Sequence, residues 1–316
     1  LQVFFFFLSI MMNENQKYLL DQVADFSTAS LQAYNIRANG ESIGRASTEH
    51  IEIVGKTDVS GIDIKIAPGT KNETVHIPVI IDASGVEERV YNDFYVGEGA
   101  DVLIIAGCGI HNDGAESSRH DGVHTFHIGK NARVRYVEKH YGEGSGEGGR
   151  VMNPDTIIEI DDGGYMEMET TQIKGIDSTK RMTRAVLQND ASLIVKEKLF
   201  THGAQEAETA FDVDLRGKDC STNVISRSVA KDTSKQLFLA KMHGNNKCYG
   251  HSECDAILMD QADIAAIPEI RAQHLDANLV HEAAIGKIAG EQLMKLMTLG
   301  LTEEEAEKHI INGFLR

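Results

Sequence analysis

From about residue 50 to 270 the chain is a succession of short segments in which apolar and polar residues alternate, among them HIEIVG, GIDIKIA, ARVRYVE, YMEMET and SLIVKEKL. Alternation with a period of two is the pattern of a half-buried β-strand. One device recurs between the segments: a turn of Gly, Asn or Asp leads through a small residue into the next strand, as in GEGADVLII, GKNARVRYVE, DDGGYMEMET, QNDASLIVKE and GKDCSTNVIS. With the small residue as marker, Ala100, Ala132, Gly164, Ala191 and Cys220 lie 32, 32, 27 and 29 residues apart (132−100, 164−132, 191−164, 220−191). Self-similarity on that scale means one supersecondary unit repeated along the chain. Stacked rungs fit better than a sandwich, because every segment has alternating faces and no Asn-Gly or Asp-Gly hairpin signal returns at a fixed offset. The pattern predicts a mainly β fold, a right-handed parallel β-helix, with an antiparallel sandwich or cupin-like barrel as the competing arrangement.

Helical texture flanks this region. Leu19, Leu20, Val23 and Phe26 are at helical spacing between residue 14 and about 35, predicting a short helix or helix pair that Gly40 ends. After Pro268 the texture turns helical again: Ala283, Ile285, Ile288, Leu293, Leu296 and Met297 form a stripe within 282–299, and Gly300 stands where a C-terminal cap belongs. Thr302 and Glu305 then make a T-x-x-E capping box for a last helix ending near Gly313. The expected division is therefore an N-terminal extension and helical segment over 1–40, a β-helix core over 41–275 and a helical segment over 276–316. The opening LQVFFFFLSIMM has an apolar run only from residue 3 to 8, with no basic residues before it, so it reads neither as a signal peptide nor as a membrane span. Met11 or Met12 is read as the natural start.

Forty-eight acidic against 31 basic residues, a net charge of −17, argue against nucleic acid, whose phosphates are held chiefly by Lys and Arg. Four cysteines in 316 residues are no disulfide framework and point to a reducing, cytoplasmic setting. The GKT at 55–57 lacks the first glycine of a phosphate loop, since residue 50 is His50, and a strand-like run follows it, so nucleotide hydrolysis by this chain is not expected. The acidic GEGSGEGG at 142–149 reads as a mobile surface loop.

Metal chemistry is suggested by Cys248-x2-His251-x2-Cys254 and by the adjacent pair His281 and Glu282. Thiolate, imidazole and carboxylate hold iron or zinc, and become ligands when they lose or lack a proton. Structural zinc sites show paired Cys-x2-Cys halves, so one half is only moderate support, and a buried cysteine as a small hydrophobe is the structural alternative; for Cys108 and Cys220 that alternative is preferred. Read as helical neighbours, His281 and Glu282 point about 100° apart. They serve one site if His281 comes from one subunit and Glu282 from its twin across a two-fold axis; equally, they are a helix start where Glu282 complements the macrodipole. A second group, His111, His120, His124 and His127, is read as a polar loop between rungs rather than as a metal site.

The C-terminal run carries a resemblance: Cys254-Asp255 followed by an apolar strand, then PEIRA, HEAAIGKI, EQL, GL, EEEA and IINGFL. It resembles the SufB/SufD family of the SUF iron-sulfur cluster assembly machinery from about residue 95 to 316, with GKNARVRYVEKH and the HEAAIGKI region strongest. The resemblance implies a right-handed parallel β-helix flanked by helices, a scaffold rather than an enzyme, on which a transient iron-sulfur cluster is built and passed to apo iron-sulfur proteins. It implies a SufC-like ABC ATPase docked on the C-terminal helices. By position Cys254 matches the cysteine at which SufB-type scaffolds assemble the cluster, Glu282 the glutamate that serves with it, and His281 the histidine that a SufD-type partner contributes. Holding all three, the chain looks like a self-pairing version, a homodimer, of what is elsewhere a pair of paralogues. It departs from large members in its shorter N-terminal region, without the cysteine-rich motif found there in some SufB-type chains. Cys248 and His251 take no role from the resemblance and stay metal candidates on spacing alone. The alternatives are a SufD-like structural partner that binds no cluster, and a β-helix enzyme acting on polysaccharide, which 6% aromatics and no Trp disfavour.

Overall fold

The computed structural model describes residues 12–24 and 32–316. The readings made on residues 1–11 and on Phe26 lie outside the described residues. Two ten-membered sheets face each other along the chain. One runs, in spatial order, β2 (Glu41–Ala46), β1 (Ala33–Ala38), β5 (Lys71–Ile81), β7 (Asp101–His111), β9 (Arg133–Glu143), β12 (Tyr165–Gln172), β14 (Ser192–Thr201), β16 (Cys220–Ala230), β18 (Cys248–Leu258) and β20 (Ala277–Gly286). The other runs β19 (Asp263–Ala272), β17 (Lys235–Gly244), β15 (Glu206–Leu215), β13 (Ser178–Leu187), β10 (Arg150–Met152), β8 (Ser118–Ile128), β6 (Glu87–Val96), β4 (Gly61–Ile66) and β3 (Ile51–Gly55), with β11 (Asp155–Ile160) bridging β8 and β13. Apart from the hairpins β1–β2 and β3–β4, neighbouring strands are parallel, and successive strands alternate between the sheets except β10 and β11, which share the second. This is a β-solenoid of about eight turns, the predicted β-helix.

The repeat seen in the sequence is the rung itself. Asp101 pairs with Arg133, Arg133 with Tyr165, Tyr165 with Ser192 and Ser192 with Ser221, offsets of 32, 32, 27 and 29 residues. Each marker follows a residue in left-handed backbone: Gly99, Asn131, Gly163, Asp190 and Asp219 have φ between 54° and 68°. Gly, Asn and Asp tolerate that conformation with least strain, which is why they open these five rungs. The markers then stack: Arg133 N–H donates to Ala100 O, Tyr165 to Ala132 O, Ser192 to Gly164 O and Ser221 to Ala191 O. Only small side chains fit such a column, and Cys248, in register with Cys220, continues it.

Inward positions fill the core. Phe94 and Phe126 stack with ring centroids 4.3 Å apart, and the rings of Phe126 and Tyr136 meet edge to face at 5.0 Å. A fully buried Phe contributes roughly 2–3 kcal/mol. The helix α1 (Glu14–Ala24) covers the outside of the first sheet, close enough to β7 that a Cβ at Gly107 would lie 2.6 Å from Val23 O. The glycine-rich stretch 142–149 is hydrogen-bonded rather than free: Gly146 and Gly148 donate to Asn112 O and Gly114 O of the rung before.

Two expectations at the ends are corrected. Gly40 turns the β1–β2 hairpin instead of ending a helix, since the residues before it, Ala33–Ala38, are a strand. More consequentially, 263–272 and 277–286 are strands, so the helical tail begins at Gly290, and His281 and Glu282 stand on β20. The alanines and glutamate of HEAAIG favour a helix locally, but ten consecutive register pairs with β18 override that preference. Pro268 fits because β19 is an edge strand. The tail is α2 (Gly290–Thr298) and α3 (Glu303–Phe314), with Gly300 at φ +96° after the first and the Thr302–Glu305 capping box opening the second, as expected.

Candidate functional site

On β18 the even-numbered residues Cys248, Gly250, Ser252 and Cys254 face the interior, and the odd-numbered Tyr249, His251, Glu253 and Asp255 face out. The register places Ser252 opposite His281, Glu253 opposite Glu282 and Cys254 opposite Ala283. Parallel partners share a wall, so the sequence candidates separate. Cys254, 1% exposed, and His281 belong to the inner wall; Glu282, with a side chain 68% exposed, belongs to the outer one. Neighbours on a strand point to opposite sides, which divides His281 from Glu282 more completely than the expected helical 100°. Cys248 is an inward core residue beside Cys220 and does not meet His251.

Burial pushes the Cys254 thiol up to about 12, with further push from Glu197 and Asp255. Such a thiol becomes a ligand only when a metal takes the place of its proton. The Ser252 hydroxyl lies on His281 Nδ1, and burial followed by the charge of His251 lowers the ring's pKa. The outer wall gathers His251, Glu253 and Glu282, one donor atom of each within 4.8 Å of the others. His251 Nε2 is 3.8 Å from Glu282 Oε2, while Nδ1–H donates to Asn223 Oδ1 at 2.9 Å. Glu253 has its pKa raised by burial and by a hydrogen bond with Asp255.

A second polar system, missed in the sequence, runs inside the solenoid. Arg37 and His120 both bind Glu88, at 3.0 Å each. His124 Nδ1 lies 2.8 Å from the Tyr136 hydroxyl, which donates to Glu138. Glu138 is ion-paired to Arg181, whose other face looks toward Glu197 at 3.9 Å. Thr209 and Ser226 donate to Glu197, and Ser226 is the register neighbour of Cys254. A cavity of about 20 Å³, room for about one water, lies among His120, His124, Glu138, His140 and Cys108. His120 and His124 are thus buried strand residues, where a polar loop was expected, and His127 points away from them to Glu159. They do not converge on a metal. The missed signal was parity: on β9, Val134, Tyr136, Glu138 and His140 alternate on one wall, and it is the inner one.

The last rung of this parallel solenoid thus carries a buried cysteine and a histidine-carboxylate pair. Residues 81–314 match the SUF system FeS cluster assembly SufBD core domain, and the chain belongs to that family. It is 28% identical over 270 residues to an iron-sulfur cluster assembly SufBD family protein of Archaeoglobus fulgidus, covering 84% of this chain and 71% of that one. A family protein of Methanothermobacter thermautotrophicus is 31% identical over 268 residues, 82% of this chain and 63% of that one. One from Methanocaldococcus jannaschii is 27% identical over 272 residues, 84% and 85% of the two chains. The family is that of iron-sulfur cluster assembly. No helix among the described residues is long and apolar enough to cross a membrane.

Proposed function

We propose that this chain is a scaffold on which an iron-sulfur cluster is built and then released to apo-proteins, paired with a second copy of itself or a paralogue. The observation that carries the reading is the position of Cys254 and His281 on the inner wall of the last strand pair, beside an edge to which, among the described residues, no further strand is bonded. An unpaired edge is a template for another chain. Ile267, Ile270 and Ile285 are exposed on β19 and β20, apolar surface that a partner would cover. In the pair, Cys254 is the thiolate anchor, and His281 and Glu282 are harder ligands whose weaker hold favours release. Because the thiol is buried and Glu282 faces outward, assembly requires the last rung to open.

That opening is the task assigned to a SufC-like ABC ATPase gripping α2 and α3, where Met294, Met297 and Leu299 are exposed. A pull on this hairpin reaches β20 through the short link 287–289. The reading is tested by anaerobic reconstitution with ferrous iron and sulfide, followed by visible absorption. A chromophore in the wild type that Cys254→Ala lacks is expected. No chromophore, or an equal one in the variant, leaves the chain a structural partner of another scaffold.

A further inference from the structure

We propose that His251, Glu253 and Glu282 form a mononuclear site for a first-row divalent cation on the outer wall of the last rung, complete within one copy and separate from Cys254. Its use, as a staging site for iron(II), rests on the assembly reading above; its geometry does not.

Strand geometry builds the site. His251 and Glu253 are two residues apart on β18 and share the outer face, and Glu282 stands directly across from Glu253 on β20. Spacings of about 7 Å along a strand and 4.8 Å between strands set three ligand-bearing positions around one point. The donor atoms already lie within 4.8 Å of one another. Metal–ligand bonds of about 2.1 Å need them near 3 Å apart, a change that rotamer adjustment of the two glutamates supplies.

The imidazole is set in the ligating tautomer. With Nδ1–H committed to Asn223 Oδ1, the lone pair of Nε2 faces Glu282. An outer hydrogen bond of this kind orients the ring and raises its basicity toward a metal. Charge favours a cation as well. Among the described ion pairs neither glutamate has a Lys or Arg partner, and Asp255 adds a third carboxylate next to Glu253. Arg227, in register with Asp255, is a cation on the same wall whose charge reaches Glu253.

The donor set distinguishes the site from the thiol behind it. One nitrogen and two carboxylates suit iron(II), manganese(II) or zinc(II), and three protein ligands leave positions open to water. Without thiolate the ion exchanges readily. Cys254, next in sequence to Glu253 but turned inward, needs an ion delivered as its own proton leaves.

Anaerobic titration of the full chain with cobalt(II) alone tests the proposal, read by its ligand-field bands. One cobalt per chain is expected, with no thiolate-to-metal charge-transfer band and no change in Cys254→Ser. His251→Ala and Glu253→Gln each weaken binding at least tenfold. Asn223→Ala, which leaves all three ligands in place, weakens it about 10- to 100-fold through loss of the orienting bond. Unaltered circular dichroism and melting of the metal-free variants establish that they fold. A charge-transfer band that vanishes in Cys254→Ser, an affinity unmoved by His251→Ala, or no binding at millimolar cobalt overturns the site. Cobalt binding retained while iron-sulfur reconstitution fails removes the assembly reading alone; cobalt binding absent while reconstitution succeeds removes this site alone.

Discussion

Ser252 and His281 face each other across the last parallel strand pair, hydroxyl against ring Nδ1, and leave His281 Nε2 buried with no hydrogen-bond partner. A buried unsatisfied polar atom costs about 1–3 kcal/mol. Replacing both residues by apolar ones removes that cost together with the bond. The double variant Ser252→Ala/His281→Leu is therefore expected to be as stable as the wild type or more so in urea unfolding, while losing its reconstituted chromophore. Equal loss of stability and chromophore would mean that the ring serves packing alone.

His124 gives the chain an acid-sensitive interior. Burial pushes its pKa from 6.5 down to about 4, with Glu138 opposing part of the shift. The folded state resists the proton that the unfolded chain accepts, so the stabilisation is intact above pH 6.5 and is lost as pH falls toward 4. The loss reaches roughly 3 kcal/mol. Glu138, held well below the ordinary carboxylate range with Arg181 as its main stabilising charge, adds to the loss only below about pH 4.5. Urea midpoints at pH 7, 6, 5 and 4 are expected to fall in the wild type and to fall less in His124→Gln; parallel slopes would assign the sensitivity elsewhere.

Arg181 and Glu138, each with a side chain 4% exposed, form an ion pair in the core. Removing one partner strands a buried charge. Arg181→Met is expected to cost about 3–5 kcal/mol, and Arg181→Met/Glu138→Leu to recover much of it. Denaturant titration of the two variants decides; a double variant no better than the single one would show that Tyr136, His140 and Glu197 need the pair.

Cys254, at about 12, is almost wholly protonated at pH 8, about one thiolate in 10⁴. Cys108, Cys220 and Cys248 are buried too. Iodoacetamide under native conditions is expected to leave all four unmodified over minutes, as read by intact mass. Opening the last rung by replacing Gly250 with a larger residue, whose Cβ would meet Leu279 Cδ2 at 2.7 Å, is expected to expose Cys254 before Cys108. Simultaneous labelling of the two would indicate global unfolding.

Pairing through the edge is open to direct test. Ile267→Lys places charge on the outer face of the edge strand β19, in register with the outward Leu239, without touching the inner wall. Sedimentation of the wild type at micromolar concentration is expected to give a dimer and the variant a monomer. A monomeric wild type removes the pairing.

The rung intervals were legible because their cause is local: a left-handed turn residue and a small residue are written side by side, as in Asn131-Ala132 and Asp190-Ala191. The capping box at Thr302 was legible for the same reason. The last rung was not, since Ala283 and Ala284 favour a helix until β18 offers them a ladder. That misreading hid the division of the site. Cys254, His281 and Glu282 were identifiable by type, but which wall each occupies depends on strand parity, and parity is defined only once the element is known to be a strand. The interior line from Glu88 to Glu197 stayed hidden because a polar residue in an alternating segment reads as facing water.

The stacking of each turn only upon its immediate neighbours has a mechanical consequence. While the ion pair of Glu307 with Lys231 ties α3 to the turn after β16, force carried along the link 287–289 falls on β20 in the last turn, whose strands β20 and β19 have one strand neighbour each among the described residues. Like the last tooth of a zip, that turn can detach and re-engage many times while the aromatic pile around Phe94 and Phe126 stays still.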